Sequence, residues 1–79
     1  MVVDDNVDSA DVLGVFFASN GHEVKVEYCG QSALTTVEHY SPHIVIIDIG
    51  LPDLDGRTLL TKLQTHFALE STVFVAFSG

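Results

Sequence analysis

Basic residues and cysteines are scarce in this chain, and no hydrophobic run is long enough to cross a membrane. Lysine and arginine together number 3 among 79 residues, against 11 acidic residues, and the formal net charge is -8. This balance argues against direct binding to nucleic acid or to an anionic membrane. The single cysteine, Cys29, excludes an internal disulfide. With no visible signal peptide, we expect a cytoplasmic location and no membrane insertion by this segment.

Hydrophobic residues make up 47% of the chain, which suffices for the core of one globular domain and is too much for a disordered segment. The excess of acidic residues fits a protein that binds cations or meets a basic partner surface. The plainer alternative is that the negative charge only aids solubility, and the charge taken alone favours this alternative.

The central feature of the sequence is a run of four β-branched residues that leads into an acid. Residues 44–47 predict a strand buried on both faces, as in a parallel sheet, and Asp48 follows at its carboxyl end. A loop containing Pro52 and ending at Gly56 comes next. Ligands bind at this end of the strands in open α/β sheets, and a desolvated acid there needs a cation or hydrogen bonds.

Apolar runs and amphipathic stretches alternate along the whole chain. Strands are predicted at Val2–Val3, 23–28, 44–47 and Val73–Phe77, with helices at Val7–Ser19, 33–40 and 59–67. The order β-α-β-α-β-α-β with short loops predicts a parallel sheet with helices on its faces.

Local signals mark the ends and faces of these elements. Asn6 or Asp8 can cap the first helix, and Asn20 with Gly21 is a good stop signal. Its buried face is predicted from apolar residues at helical spacing, namely Ala10, Leu13, Phe16 and Phe17. The alternating second strand has one wetter face and is predicted to lie at an edge of the sheet. Ser41 and Pro42 are predicted to end the second helix.

The last apolar run, Val73–Phe77, is apolar on both faces and therefore predicts an interior strand. An exposed apolar edge would be an aggregation liability. We therefore expect residues 1–79 to be one domain that is incomplete at its C-terminus and at the start of its first strand. Cover by a partner chain is the alternative.

Three strand ends carry groups that suit phosphoryl chemistry. Asp4 and Asp5 end the first strand, Asp48 ends the third and Ser78 follows the fourth. If the first and third strands are neighbours, three carboxylates converge, and Mg²⁺ is the natural remedy for their repulsion. An aspartate beside Mg²⁺ can act as a nucleophile toward phosphorus. The alternative is that Asp4 and Asp5 only cap a helix, since aspartate is common in such turns.

Three motifs together resemble a known family. VVDDN at the start, IIDIGLPDLDG in the middle and VFVAFSG at the end resemble the receiver domain of bacterial two-component response regulators, in its order and spacing. VDDNVDSA and DIGLP are especially similar to receivers fused to sensor histidine kinases, the hybrid kinases. The resemblance implies a flavodoxin-like, doubly wound parallel sheet of strand order 2-1-3-4-5. It also implies that the fifth strand and the last two helices are lacking here, with any homodimer forming through that missing face.

The resemblance further implies roles for single residues. Asp48 matches the phosphoacceptor that takes a phosphoryl group from the phosphohistidine of a histidine kinase or histidine phosphotransfer domain. Asp5 matches the direct Mg²⁺ ligand, and Asp4 the neighbouring acid that often acts through water. Gly50 matches the position whose backbone carbonyl completes the metal site. Ser78 matches the hydroxyl that senses the phosphoryl group, while Pro52 and Gly56 match residues that shape the loop.

One basic residue of the family pattern is missing from this chain. Two other functions remain as alternatives. The family's phosphate-pairing lysine has no counterpart, because Lys25 and Lys62 lie in a strand and a helix. Such a domain takes part in its own phosphorylation but is not otherwise an enzyme, any kinase activity lying in another domain. One rival is a non-phosphorylated interaction module on the same scaffold. The other is an aspartyl phosphohydrolase, which would need a second acid where Gly50 stands.

Overall fold

The computed structural model of the protein describes residues 1–51, 55–68 and 70–77. Strands and helices alternate along these residues, as the sequence predicts. In chain order they are β1 (Val2–Val3), α1 (Val7–Ser19), β2 (Val26–Glu27), α2 (Gly30–Thr36), β3 (Ile44–Asp48), α3 (Gly56–His66) and β4 (Val73–Phe77). No helix within the described ranges has the length and apolar character needed to cross a membrane.

The four strands form one parallel sheet of order β2-β1-β3-β4. This order confirms the flavodoxin-like arrangement for the strands that the structure describes. Val3 pairs with Ile47, so the residues that follow them, Asp4 and Asp48, meet at the same edge of the sheet. Asp48 in turn pairs with Phe77 of β4. The topology therefore brings three strand ends together.

Two faces of the sheet are covered differently. Helices α2 and α3 contact each other and pack on one face. The main core lies there and includes Val3, Val45, Ile47, Ala33, Leu59 and Leu63. Helix α1 packs against β1 and β2 instead. It approaches β2 so closely that a Cβ on Gly14 would lie 2.9 Å from Cγ2 of Val26. This tight packing fixes α1, and with it the loop that follows β1.

The ends of α1 are as the sequence predicts, but one predicted core residue is wrong. Asn6 caps the start, and Gly21 after the C-cap adopts φ +87°, which glycine tolerates. Phe16 is 59% exposed. The buried line of the helix runs through Ala10 and Gly14, and Phe16 lies about 120° around the helix from Ala10 at about 100° per residue. The hydrophobic spacing did not reveal that small residues face the sheet.

Two elements are shorter than predicted. β2 keeps only two residues, Val26–Glu27, of the predicted 23–28, since it pairs with β1 alone, itself two residues long. The prediction that it lies at an edge is confirmed. Helix α2 begins at Gly30 and ends at Thr36 rather than at Ser41. The β-branched run 35–37 favours helix poorly, and the Thr36 hydroxyl donates a hydrogen bond to Glu27 Oε2 at 2.7 Å.

β4 occupies the outer position of the described sheet rather than an interior one. Its Phe74 packs against the core, as a buried strand residue would. Val73 and Val75 are exposed on the other side, because α1 covers β1 and β2 instead. This exposure matches the apolar edge expected from the sequence, and the interior position of the strand in a longer domain remains a prediction.

Candidate functional site

A cleft opens where the carboxyl ends of β1, β3 and β4 meet, and it has a volume of about 690 Å³. The strand ends contribute Asp4, Asp5, Asp48 and Phe77 to its lining. The opposite wall comes from the first turns of α1. This is the edge at which open parallel sheets bind ligands.

Three carboxylates converge in the cleft, as the sequence predicts. One oxygen each from Asp4, Asp5 and Asp48 can be chosen so that all lie within 4.8 Å of one another. Asp4 and Asp48 are only 3% and 7% exposed, whereas Asp5 is exposed. The grouping follows from the register, since β1 and β3 are adjacent and parallel.

Backbone amides hold the two buried carboxylates. The N–H of Asn6 donates to Oδ1 of Asp4 at 3.0 Å. The N–H of Gly50 donates to Oδ1 of Asp48 at 2.8 Å. In each case the donor lies two residues after the acid, so the turn after each strand fixes its own carboxylate. For both acids, the hydrogen-bond donor among the described residues is a backbone amide.

The pKa of Asp4 is raised above its ordinary value of 3.8. Burial is the largest cause, and the neighbouring Asp48 and Asp5 carboxyls raise it further, while the Asn6 N–H opposes the shift. Within the described part of the chain, no lysine or arginine lines the cleft. The negative charge of the cluster is thus not balanced by the described side chains around it.

The donor set fits a hard divalent cation. All three side chains offer carboxylate oxygens, the ligands that Mg²⁺ prefers, at about 2.1 Å each. Opposite ligands of one such ion lie about 4.2 Å apart on that figure, close to the 4.8 Å limit within which these oxygens lie. One ion, with water completing its shell, suits this cluster and relieves its repulsion.

Comparison with known proteins agrees with this geometry. The family model of the response regulator receiver domain matches residues 1–79. The chain belongs to the response regulator receiver family. Receivers act in two-component signalling, bind Mg²⁺ at an acidic cluster, and interact with histidine kinases or phosphotransfer proteins.

Two curated relatives illustrate the relationship. The receiver is 37% identical over 68 residues to the Regulatory protein VanRc of Enterococcus gallinarum, an overlap of 85% of this chain and 29% of that protein. It is 27% identical over 75 residues to the Transcriptional regulatory protein TrcR of Mycobacterium tuberculosis (strain ATCC 25618 / H37Rv), covering 95% and 29% respectively. The chain thus spans about three tenths of the length of these relatives. No solved structure matched it.

The remaining predicted residues differ in what the structure says of them. Gly50 lines the receiver cleft and contacts Asp48 through its N–H, so the metal-binding role of its carbonyl remains a prediction. Ser78 and Pro52 lie outside the described residues. Gly56 is needed for a steric reason, since a Cβ there would overlap the backbone of Ile49 and lie 2.6 Å from its carbonyl carbon. The start of α3 can lie this close to Ile49, just after β3, only with glycine at this position.

Some residues of the receiver cleft were not singled out from the sequence. Asn6 was considered only as a helix cap, yet its backbone holds Asp4. Asp8 and Val12 of α1 and Phe77 of β4 also line the cleft. The sequence held one signal for these residues. Asp8 and Val12 come one or two helical turns after the acidic end of β1, and Phe77 ends a strand, so each could have been predicted to lie near the cleft. The register needed to use that signal comes only from the structure.

Proposed function

We propose that this receiver accepts a phosphoryl group on Asp48, with Mg²⁺, from a phosphohistidine of a histidine kinase or histidine phosphotransfer domain. One observation carries the proposal. Asp48 ends the strand that lies between β1 and β4, it is buried, and two further carboxylates lie within 4.8 Å of it. A scaffold that served binding alone would have no need for a cluster of three acids in which burial and the two neighbouring carboxyls raise the pKa of Asp4.

The proposed transfer requires little of the protein beyond positioning and charge balance. A carboxylate oxygen of Asp48 attacks phosphorus as the P–N bond to the donor imidazole breaks. The imidazole leaves with that electron pair and takes up a proton, and an aspartyl phosphate remains. The Gly50 N–H holds Oδ1 of Asp48 at 2.8 Å, which limits the orientations from which the carboxylate can react.

Asp4, Asp5 and Asp48 would hold the Mg²⁺ ion, with the Gly50 carbonyl as a further ligand. Bound there, the ion would neutralise charge that develops on the phosphoryl oxygens. Asp5 is exposed and can turn toward an ion as a direct ligand. Asp4 is buried and held by the Asn6 N–H, which suits a ligand that acts through water.

Ser78 is proposed as the hydroxyl that senses the phosphoryl group. The support is its place in the chain, directly after Phe77, which lines the cleft. A hydroxyl that turns toward the new phosphate would favour one of two arrangements of this end of β4. Signalling would then be a population shift driven by the modification.

The donor domain is proposed to dock over α1. Val12 lines the cleft and is 68% exposed, and Val15 and Phe16 continue the apolar surface along the helix. Asp8 and Asp11 lie beside them on the same helix. A donor that presents an apolar patch ringed by lysine or arginine, with its histidine near the cleft, would complement this surface.

The test is the intact mass of the protein before and after incubation with acetyl phosphate and Mg²⁺. The proposal predicts a gain of one phosphoryl group that is absent when Mg²⁺ is chelated and absent in Asp48→Asn. If Asp48→Asn gained as much phosphoryl group as the unmodified protein, Asp48 would not be the phosphoacceptor. No gain at all would favour the alternative, a non-phosphorylated interaction module on the receiver scaffold.

A further inference from the structure

Asn6 connects the acidic cluster to helix α1 through three hydrogen bonds. Its backbone N–H donates to Oδ1 of Asp4 at 3.0 Å. Its side-chain Oδ1 accepts from the N–H of Ser9 at 3.0 Å, and its carbonyl accepts from the N–H of Ala10 at 2.9 Å. The residue that begins the helix is thus the residue that holds a buried acid of the cleft.

The helix at the other end of this connection is rigidly placed. Within α1, the side chain of Ala10 is fully buried. At Gly14 a Cβ would lie only 2.9 Å from Cγ2 of Val26 in β2. Because α1 is fixed on β1 and β2, the cap at its first turn has a fixed direction. The side chain of Asn6 therefore restrains its own backbone, and that backbone restrains Asp4.

Asp4 lies between two other acids of the cluster. It is buried beside Asp48 and near Asp5, and both neighbours repel its charged form. The Asn6 N–H is the described backbone donor to its carboxylate. If the turn at residue 6 loosened, Asp4 would lose a favourable partner and keep its unfavourable ones.

We propose that Asn6 is a positioning residue for the metal site, in which its side-chain cap on α1 aims its backbone N–H at Asp4 and so sets the affinity of the acidic cluster for Mg²⁺. This role rests on the proposed Mg²⁺ site. Residues that orient metal ligands typically change metal affinity by about 10- to 100-fold when replaced. Because Asn6 acts here through a water-mediated ligand, we expect about 10-fold weaker Mg²⁺ binding in Asn6→Ala.

A matched control separates this role from simple loss of a helix cap. Asp55 caps α3 in the same way, with its side chain accepting from the Arg57 N–H at 2.9 Å. Asp55 is exposed and does not line the cleft. Asp55→Ala should therefore weaken the fold as Asn6→Ala does, since both lose a cap, while leaving Mg²⁺ affinity within about 2-fold in salt that screens its charge. Asn6→Ser keeps a short capping acceptor and should retain most of the affinity.

Two readouts test the proposal on the purified protein without any phosphodonor. The first is the Mg²⁺ dissociation constant from calorimetric titration of the unmodified protein and the three variants. The second is the amide proton at position 6 in the metal-free protein, observed by NMR. In the unmodified protein and in Asn6→Ser it should be shifted downfield and protected from exchange by its bond to Asp4, and in Asn6→Ala both signatures should be lost.

The outcomes are distinguishable. Equal Mg²⁺ affinity in Asn6→Ala and the unmodified protein would overturn the positioning role and leave the metal site standing. Equal weakening in Asn6→Ala and Asp55→Ala would overturn it too, since a general loss of stability would then explain both. An unmodified protein that binds no Mg²⁺ would overturn the metal site and this role together.

Discussion

Carboxylate oxygens of Asp4 and Asp48 lie within 4.8 Å of each other, and both side chains are buried. The two acids come directly after Val3 and Ile47, which pair across the neighbouring parallel strands β1 and β3. At that separation, with an effective dielectric constant of about 20, two full charges repel by on the order of 3 kcal/mol. The protein therefore stores charge repulsion at the edge of its sheet where a cation and a phosphoryl group would come together.

The first prediction concerns pH and the metal-free protein. The pKa of Asp4 is raised by folding above its ordinary 3.8, chiefly through burial, so the folded state binds the proton more tightly than the unfolded state. Asp4 should therefore stabilise the fold at low pH, and this contribution should fade as pH rises from about 4 through the raised pKa. The measurement is the free energy of unfolding against pH with a chelator present, compared with Asp4→Asn.

In Asp4→Asn the free energy of unfolding should not show this fall with rising pH. The difference in unfolding free energy between the two proteins therefore gives the contribution of the Asp4 carboxyl. Adding Mg²⁺ should restore stability to the unmodified protein at neutral pH, because a ligand that binds only the folded state stabilises it. If the unmodified protein gained stability relative to Asp4→Asn as pH rose through this window, the buried, repelled state of Asp4 would be wrong.

The second prediction concerns Gly56. A Cβ at this position would overlap the backbone of Ile49, and backbone atoms cannot swing away as a side chain can. Gly56→Ala should therefore lower the free energy of unfolding by about 3 kcal/mol, at the upper end of the usual cost of overpacking. Urea unfolding measures the change.

Gly50→Ala is the matched control, because among the described residues its Cβ would meet Oδ1 of Asp48, at 3.4 Å. It should cost less than about 1 kcal/mol. Equal losses in the two variants would mean that the close contact between Gly56 and the backbone of Ile49 does not constrain the fold.

The third prediction concerns the exposed side of α1. Phe16 is 59% exposed, so Phe16→Ala should scarcely change stability, yet it should slow phosphotransfer from a donor protein about 10-fold if this surface docks the donor. Labelling by acetyl phosphate should be unchanged, since a small donor needs no docking surface. Val15→Ala should act in the same direction.

Val73→Ala provides the control on a similarly exposed side chain at the amino end of β4, away from the cleft. It should leave both kinds of labelling intact. If Phe16→Ala slowed acetyl phosphate and the protein donor alike, the loss would lie in the site itself, and the docking role of α1 would be wrong.

The sequence predicted the structure best at positions where a single physical requirement, such as burial in a strand or a helix cap, limits which residues fit. A continuous β-branched run followed by an acid predicted β3 and the place of Asp48 at its end. The predicted burial on both faces holds for Val45 and Ile47 but not for Ile44, which is 42% exposed. Parallel strands put their carboxyl ends on one edge, which was enough to predict that Asp4, Asp5 and Asp48 meet. Asn6 and Gly21 were predictable as ends of α1 from local backbone chemistry.

Features set by packing between elements were harder to predict. Phe16 was expected in the core, but the rotation of α1 is decided by the room that Gly14 leaves for Val26, and glycine carries no hydrophobic signal. The shortness of β2 depends on how much of β1 it can pair with. The bond from the Asn6 N–H to Asp4 depends on the turn between β1 and α1, a detail that capping preference alone does not contain.

The most direct test of the central claim is to locate the phosphoryl group in the chain. The protein is incubated with acetyl phosphate and Mg²⁺, the acyl phosphate is reduced with borohydride, and the modified residue is found by fragment sequencing in the mass spectrometer. The account predicts homoserine at position 48 and nowhere else. Modification at Asp4, Asp5 or a histidine, or none at all in protein that binds Mg²⁺, would contradict it.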